Sequence, residues 1–307
     1  MTDCVVVQPI AEPGLRLLEA AGLSTYVAPA PDLAVMQPYL ASARAVITRN
    51  HGFSAAEIAA APRLRVIVSH GTGTDSIETA AAAVRGIVVA STPGTNARSV
   101  AEHCLGLMLA CARAIPAADR ATRAGDFDFR LRQETVELAG RRLGLVGYGR
   151  IARLVGQLGL AFGMRVAAVS NRASAEAIAA DGVDPATGLD ALCRASDILS
   201  LHGVPTGEAL IDARRLALMK PDAILVNTAR GALVDEAALV AALETGRLRA
   251  AALDVFRTEP PTDSRLLHCP NLILTPHMGG SAREALVRTA IEAARRVIEI
   301  LEADPAS

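Results

Sequence analysis

The stretch LGLVGYGRIARLVG, residues 143–156, begins as a run of apolar residues, breaks at Gly147 and Gly149, and resumes as a helical pattern through Ala152. It matches G-x-G-x-x-G/A, a weak signal alone and a strong one between an apolar strand and a helix start. Gly147 permits a tight turn, Gly149 lets the backbone approach a pyrophosphate, and Ala152 allows close helix packing. Free N–H groups at the helix start attract the anion. With no ligand, the same stretch would be only a βα turn. Read as a dinucleotide fingerprint, it makes the surrounding chain a doubly wound parallel sheet.

The flanking sequence agrees. MRVAAVS, DILSLH, AILVNTA, AAALDVF and LILTPH follow as short apolar runs separated by helical patterns such as DEAALVAALETG. Before it, CVVVQPI, RAVITRN, LRVIVSH and GIVVAS alternate with GLRLLEAAG, SAAEIAAAP and ETAAAAVRG. Strands this uniformly apolar imply parallel sheets covered on both faces. The expected fold is α/β, with two Rossmann/flavodoxin-like domains and the cofactor cleft between them. The turn-rich stretches STPGTN (91–96) and HMGGSA (277–282) mark the boundaries, so the expected divisions are 1–95, 96–279 and 280–307. A last helix from about Ala282 to Ala303 is expected to return to the first domain.

Composition narrows the partners. With 307 residues, 51% of them hydrophobic, the chain can bury a sizeable core. A net charge of −1 offers no basic field for nucleic acid or anionic membrane. MTDCVVVQPI lacks the charged start and long apolar run of a signal peptide. The apolar helix VAEHCLGLMLACARAI carries Glu102, His103 and Arg113 and is too short and charged to span a membrane. Five cysteines without a C-x-x-C pair fit reduced thiols packed in the core of a cytoplasmic protein.

Two further stretches carry chemistry. In AAVSNRAS (167–174), Ser170, Asn171 and Arg172 stand where an NAD site has an acid for the ribose hydroxyls. All three can donate to a 2′-phosphate, which favours NADP(H) over NAD(H), unless Arg172 is simply a solvated loop charge. Three later strand ends then offer Arg230 in VNTARGALVDE, Glu259 in DVFRTEPP and His277 in LILTPHMGG. Parallel strands put these ends on the edge that carries the glycine loop. Arg230 can bind a carboxylate bidentately, His277 can exchange a proton at a carbonyl or hydroxyl, and Glu259 can orient the imidazole. Together they suit reduction of a 2-keto acid.

These motifs, with HGTGTDSI (70–77), STPGTNARSVAEH (91–103), MKPDAILVNTARGALVDEAAL (219–239) and NLILTPHMGG (271–280), resemble the D-isomer-specific 2-hydroxyacid dehydrogenases nearly end to end. The resemblance implies a substrate domain built from both termini around an inserted dinucleotide-binding domain, a homodimer through the latter, and Arg230, Glu259 and His277 as the catalytic set. It implies that Thr72, Gly147, Gly149, Arg150, Ile151, Val204, Pro205, Thr206, Thr228, Ala229, Asp254, Gly279 and Gly280 border the cofactor, with Asp254 near the nicotinamide amide. It also implies that the loop Ser69-His70-Gly71 offers backbone N–H groups to the substrate carboxylate. The sequence departs from the family at Pro205, one place later than usual. Serine or asparagine followed by arginine after MRVAAV is typical of the NADPH-using members.

The remaining histidines have plainer readings. His103 reads as a packed, hydrogen-bonded residue, His202 as lining the site and His268 as surface, and none has metal spacing. Arg49, Asn50 and His51 follow an apolar strand of the first domain and form a candidate specificity loop. Three functions compete: an NADPH-dependent reductase of glyoxylate or hydroxypyruvate, a biosynthetic dehydrogenase of phosphoglycerate or sulfolactate in which Arg49 meets a second anion, and a non-catalytic dinucleotide sensor. Formate oxidation is disfavoured, because Glu259 stands where formate dehydrogenases typically have glutamine.

Overall fold

The computed structural model describes residues 2–303. The chain divides into two compact units. One comprises the residues up to Asn96 together with those from Gly280 on, and the other is Ala97–Gly279.

The first unit is built on five parallel strands, β1 (Cys4–Val6), β2 (Thr25–Val27), β3 (Ala45–Thr48), β4 (Val66–Ser69) and β5 (Val88–Ser91), ordered β2-β1-β3-β4-β5. Side chains alternate across the pleat. Val5, Val46 and Ile67 pack on one face with Met36, Leu40, Phe53 and Ile58. Val6, Ile47 and Val68 pack on the other with Leu18 and with Ala293, Ala294 and Val297 of the last helix, Arg283–Ala303. Local capping agrees with this: Ser54 and Glu57 form a reciprocal capping box at the helix Ala55–Ala60.

The second unit carries β6 (Arg142–Val146), β7 (Arg165–Val169), β8 (Asp184–Pro185), β9 (Ile198–Leu201), β10 (Ile224–Asn227), β11 (Ala250–Leu253) and β12 (Leu272–Leu274). All are parallel, in the order β12-β11-β10-β9-β6-β7-β8. Two-sided burial recurs here. Leu199, Leu225 and Leu253 lie in one core layer, and Leu145, Ile198 and Val226 in the other, with Cys104, Met108 and Val155. Both sheets reverse strand order beside their first strand, between β1 and β3 and between β6 and β9. In open parallel sheets, crevices open at such points.

Each sheet has one strand more than the apolar runs predict. β2 is a half-buried edge strand of three residues, and β8 is two exposed residues ending in Pro185. Edge strands this short show no hydrophobic period, and proline is tolerated because its missing donor faces away from the ladder. All five cysteines are free and buried. Among the described residues, no single helix is long and apolar enough to cross a membrane.

Ile47 is fully buried between its sheet and the last helix. Ile47→Ala should therefore lower the stability of the first unit by about 2–5 kcal/mol in urea titration. A loss below about 0.5 kcal/mol would mean that the last helix does not close this core.

Candidate active site

In the second unit, the C-terminal strand ends form one row. After β6 comes the glycine loop. Gly147 sits at φ 89°, and its N–H donates to the Val169 carbonyl of β7 at 2.8 Å. A Cβ at Gly147 would lie 2.9 Å from the backbone at His202 and Gly203, so only glycine fits. Gly149 then caps the helix Arg150–Ala161 with no side chain bonded to the first turn. Arg150 and Ile151 therefore open an anion-attracting helix start, and buried Ala152 faces the sheet. This cradle fits the pyrophosphate of a dinucleotide. Tyr148 points into the protein, where its hydroxyl donates to Asp181 at 2.9 Å.

Next along the row, after β7, Ser170 Oγ accepts the N–H groups of Arg172 and Ala173 at 3.1 and 3.0 Å, turning the chain so that Asn171 and Arg172 are exposed. The Arg172 guanidinium has no partner among the described residues. Ser170 keeps its hydroxyl proton for a ligand.

On the other side of β6, His202 follows β9 and its Nε2 lies 2.9 Å from Ser200 Oγ; burial pushes its pKa down to about 4. Exposed Val204 and Thr206 flank Pro205 in the loop beyond. After β10, Asn227 is fully buried and accepts from Ala229 N–H at 3.1 Å while donating to the Arg230 carbonyl at 2.8 Å. That clamp holds the turn Thr228-Ala229-Arg230. Arg230 donates to the Ala229 carbonyl at 2.7 Å.

After β11 and β12 the acid and base meet. Glu259 Oε2 lies 2.8 Å from His277 Nδ1, and its Oε1 accepts the Phe256 N–H at 3.1 Å. Burial alone would raise the Glu259 carboxyl, yet the imidazole and the Phe256 N–H outweigh it and hold it below the usual carboxylate value. A carboxylate on Nδ1–H leaves Nε2 to exchange a proton, and Nε2 has no protein partner among the described residues.

Asp254 is only 1% exposed. Its Oδ1 accepts from Thr275 Oγ1 at 2.6 Å and Met278 N–H at 2.9 Å, with His103 Nε2 at 3.3 Å, and its Oδ2 accepts from Gly279 N–H at 2.8 Å. Burial would raise this carboxyl too, but these donors hold it below the ordinary value. The carboxylate thus grips the His277 loop, a bracing role that DVF in the sequence does not reveal. Ser99 and His103, four apart on the helix Ala97–Ala112, supply the other braces; His103 was read from the sequence as packed and hydrogen-bonded, and Ser99 was not singled out.

In the first unit, Arg49 ends β3 at the switch point and donates to the Pro9 carbonyl at 2.9 Å, and burial lowers its pKa. Asn50 is exposed, and His51 Nε2 pairs with Glu57 at 3.0 Å. His70 ends β4 with its Nε2 buried and unpartnered. Burial first, and then Arg49, push its pKa down to about 4, so it is neutral near pH 7. The expectation for the loop Ser69-His70-Gly71 needs correction. The His70 N–H donates to the Thr48 carbonyl at 2.7 Å and the Gly71 N–H to the Ser69 carbonyl at 2.9 Å, while Ser69 Oγ donates to the Gly73 carbonyl at 2.6 Å. Continued pairing with β3 takes the first of these donors, and bonds within the loop take the other two. The N–H groups of Thr72 and Gly73 are the ones without a partner among the described residues. Gly280 belongs to this unit, beside Asn96, whereas Gly279 lies in the other.

The family model for the NAD-binding domain of D-isomer-specific 2-hydroxyacid dehydrogenases matches residues 105–279. The chain belongs to this family. It is 37% identical over 307 residues to a D-3-phosphoglycerate dehydrogenase of Methanocaldococcus jannaschii, covering 99% of this chain and 58% of that protein. The chain thus spans little more than half the length of such relatives. It is 41% identical over 216 residues to a hydroxypyruvate reductase of Thermotoga maritima, 68% of this chain and 69% of that one. Among solved structures, an NADPH-dependent glyoxylate/hydroxypyruvate reductase of Sinorhizobium meliloti, in complex with citrate, superposes with a TM-score of 0.82 at 29% identity, over 100% of this chain and 96% of that chain.

Gly231, next to Arg230, joins the strand ends of β10 and β11: a Cβ there would lie 1.9 Å from the Phe256 carbonyl carbon. Gly231→Ala must push the Phe256–Glu259 turn away, at a cost of about 1–3 kcal/mol. Urea titration checks this, and unchanged stability would show that the two turns separate freely.

Proposed function

We propose that the protein reduces a small 2-keto acid of the glyoxylate or hydroxypyruvate type to the D-2-hydroxy acid, using NADPH. The observation that carries this reading is the His277–Glu259 contact on the same sheet edge as Arg230 and the glycine loop. The bound dihydronicotinamide supplies the hydride. Arg230 takes the substrate carboxylate through its planar fork. His277 Nε2 passes its proton to the keto oxygen as the C=O π bond becomes a C–H and an O–H bond. Glu259 holds the imidazole by its other nitrogen and stabilises its protonated form.

Two finer points rest on local chemistry. NADPH is supported by Arg172 and the hydroxyl proton of Ser170 at the end of β7, where no carboxylate stands to repel a 2′-phosphate. The family resemblance supports a homodimer, and the five free cysteines support a cytoplasmic location. A small, unphosphorylated tail is supported by His70, which stays neutral and adds no charge to Arg49. The second reading, phosphoglycerate oxidation, is favoured by the match to the M. jannaschii enzyme over 99% of this chain, with Arg49 then meeting the phosphate.

Steady-state kinetics with glyoxylate, hydroxypyruvate and phosphohydroxypyruvate, each with NADPH and NADH, separates these readings; a clear preference for phosphohydroxypyruvate selects the second. His277→Ala should lower kcat by roughly 100- to 10,000-fold. Glu259→Gln should move the alkaline limb of the reduction profile to lower pH, since imidazolium loses its carboxylate partner, and an unmoved limb would count against the pairing. Arg172→Ala should reduce kcat/KM for NADPH about 10- to 150-fold, with little change for NADH. A wild-type preference for NADH would falsify the cofactor assignment alone.

A further inference from the structure

His277 lies at φ 50°, in the left-handed region that residues with a Cβ rarely adopt. Such a conformation persists only where its surroundings hold it. Here they do so through residues 277–279: the His277 N–H donates to the Asp254 carbonyl at 2.8 Å, and the next two N–H groups go to the Asp254 carboxylate. The carboxylate can grip this segment only while its own position is fixed, and the groups that fix it lie outside the loop.

We infer that His103 is a positioning residue for His277, acting through Thr275 and Asp254. His103 Nε2 lies 3.1 Å from Thr275 Oγ1, which donates in turn to Asp254 Oδ1 at 2.6 Å. An Nε2–H donor there orients the Thr275 hydroxyl toward the carboxylate and polarises it, so the bonds reinforce one another. Ser99, one turn earlier on the same helix face, donates to the Gly279 carbonyl at 2.6 Å and closes the segment from its far side. The helix Ala97–Ala112 therefore sets where the His277 ring meets Glu259. The polar edge of an otherwise apolar helix thereby has a task besides core packing.

This inference rests on the proposed role of His277, and two variants separate it from a general packing role. His103→Gln keeps an N–H donor near the Nε2 position, and His103→Leu keeps the volume and loses the donor. In the wild type and in His103→Gln, the His277 Nδ1 proton bonded to Glu259 should be visible by NMR and slow to exchange; in His103→Leu it should be lost to exchange. Turnover of the 2-keto acid should fall about tenfold or more in His103→Leu, with NADPH affinity near wild type. His103→Gln should restore most of it. Combined with Glu259→Gln, the His103→Leu loss should be markedly less than multiplicative, because both act on one contact. Persistence of the Nδ1 proton in His103→Leu overturns the inference, as does a defect that His103→Gln leaves unrepaired. A wild type that reduces no 2-keto acid overturns the functional reading instead, and the NMR comparison still decides the role of His103.

Discussion

Parallel strand pairing is the constraint on which everything else here depends. Because each chain segment re-enters the sheet in the same direction, every C-terminal strand end falls on one edge, and only the turns there are free of ladder geometry. In the second unit this lines up His277, Glu259, Arg230, His202, the glycine loop and Ser170 in the order of β12, β11, β10, β9, β6 and β7. Residues as far apart in the chain as Gly147 and His202 become neighbours along a row. Since the sheet is buried on both faces, its interior offers aliphatic packing and little chemistry.

A buried charge organises one end of that row. A carboxylate removed from water without donors is strongly unfavourable, so Asp254 at 1% exposure requires the hydroxyl, the two N–H groups and the imidazole that surround it. Satisfying it bends residues 277–279 into a turn that a polypeptide would not choose unaided. The strained φ of His277 is thus a consequence of where Asp254 must find its partners, and the acid–base contact with Glu259 follows from that turn.

At the opposite end the protein offers donors and space. The glycine loop is shaped by the close approach of the β9 end, and the helix behind it lacks a side-chain cap, so a ligand anion can take up its N–H groups. Beyond β7, the exposed Arg172 guanidinium has no partner among the described residues. The first unit follows the same logic at its own switch point, where Arg49 is tied to Pro9 and the loop 69–73 folds back on itself. Family membership agrees with this distribution, and the relatives include both phosphoglycerate dehydrogenases and a hydroxypyruvate reductase.

The sequence by itself determined the α/β class, the glycine turn and the three polar residues at strand ends, because each is written in local pattern. Apolar period, turn residues and spacing are properties of short segments. It missed β2 and β8, since strands of two or three edge residues carry no period. It assigned carboxylate-binding N–H groups to Ser69–Gly71, whereas the His70 N–H continues the pairing with β3 and the Gly71 N–H is taken by the Ser69 carbonyl. It read Asp254 as a neighbour of the cofactor and His103 as packing. Only the tertiary structure joined them, because a hydrogen bond between residues 151 positions apart depends on how a helix lies against a strand end, and no local pattern records that.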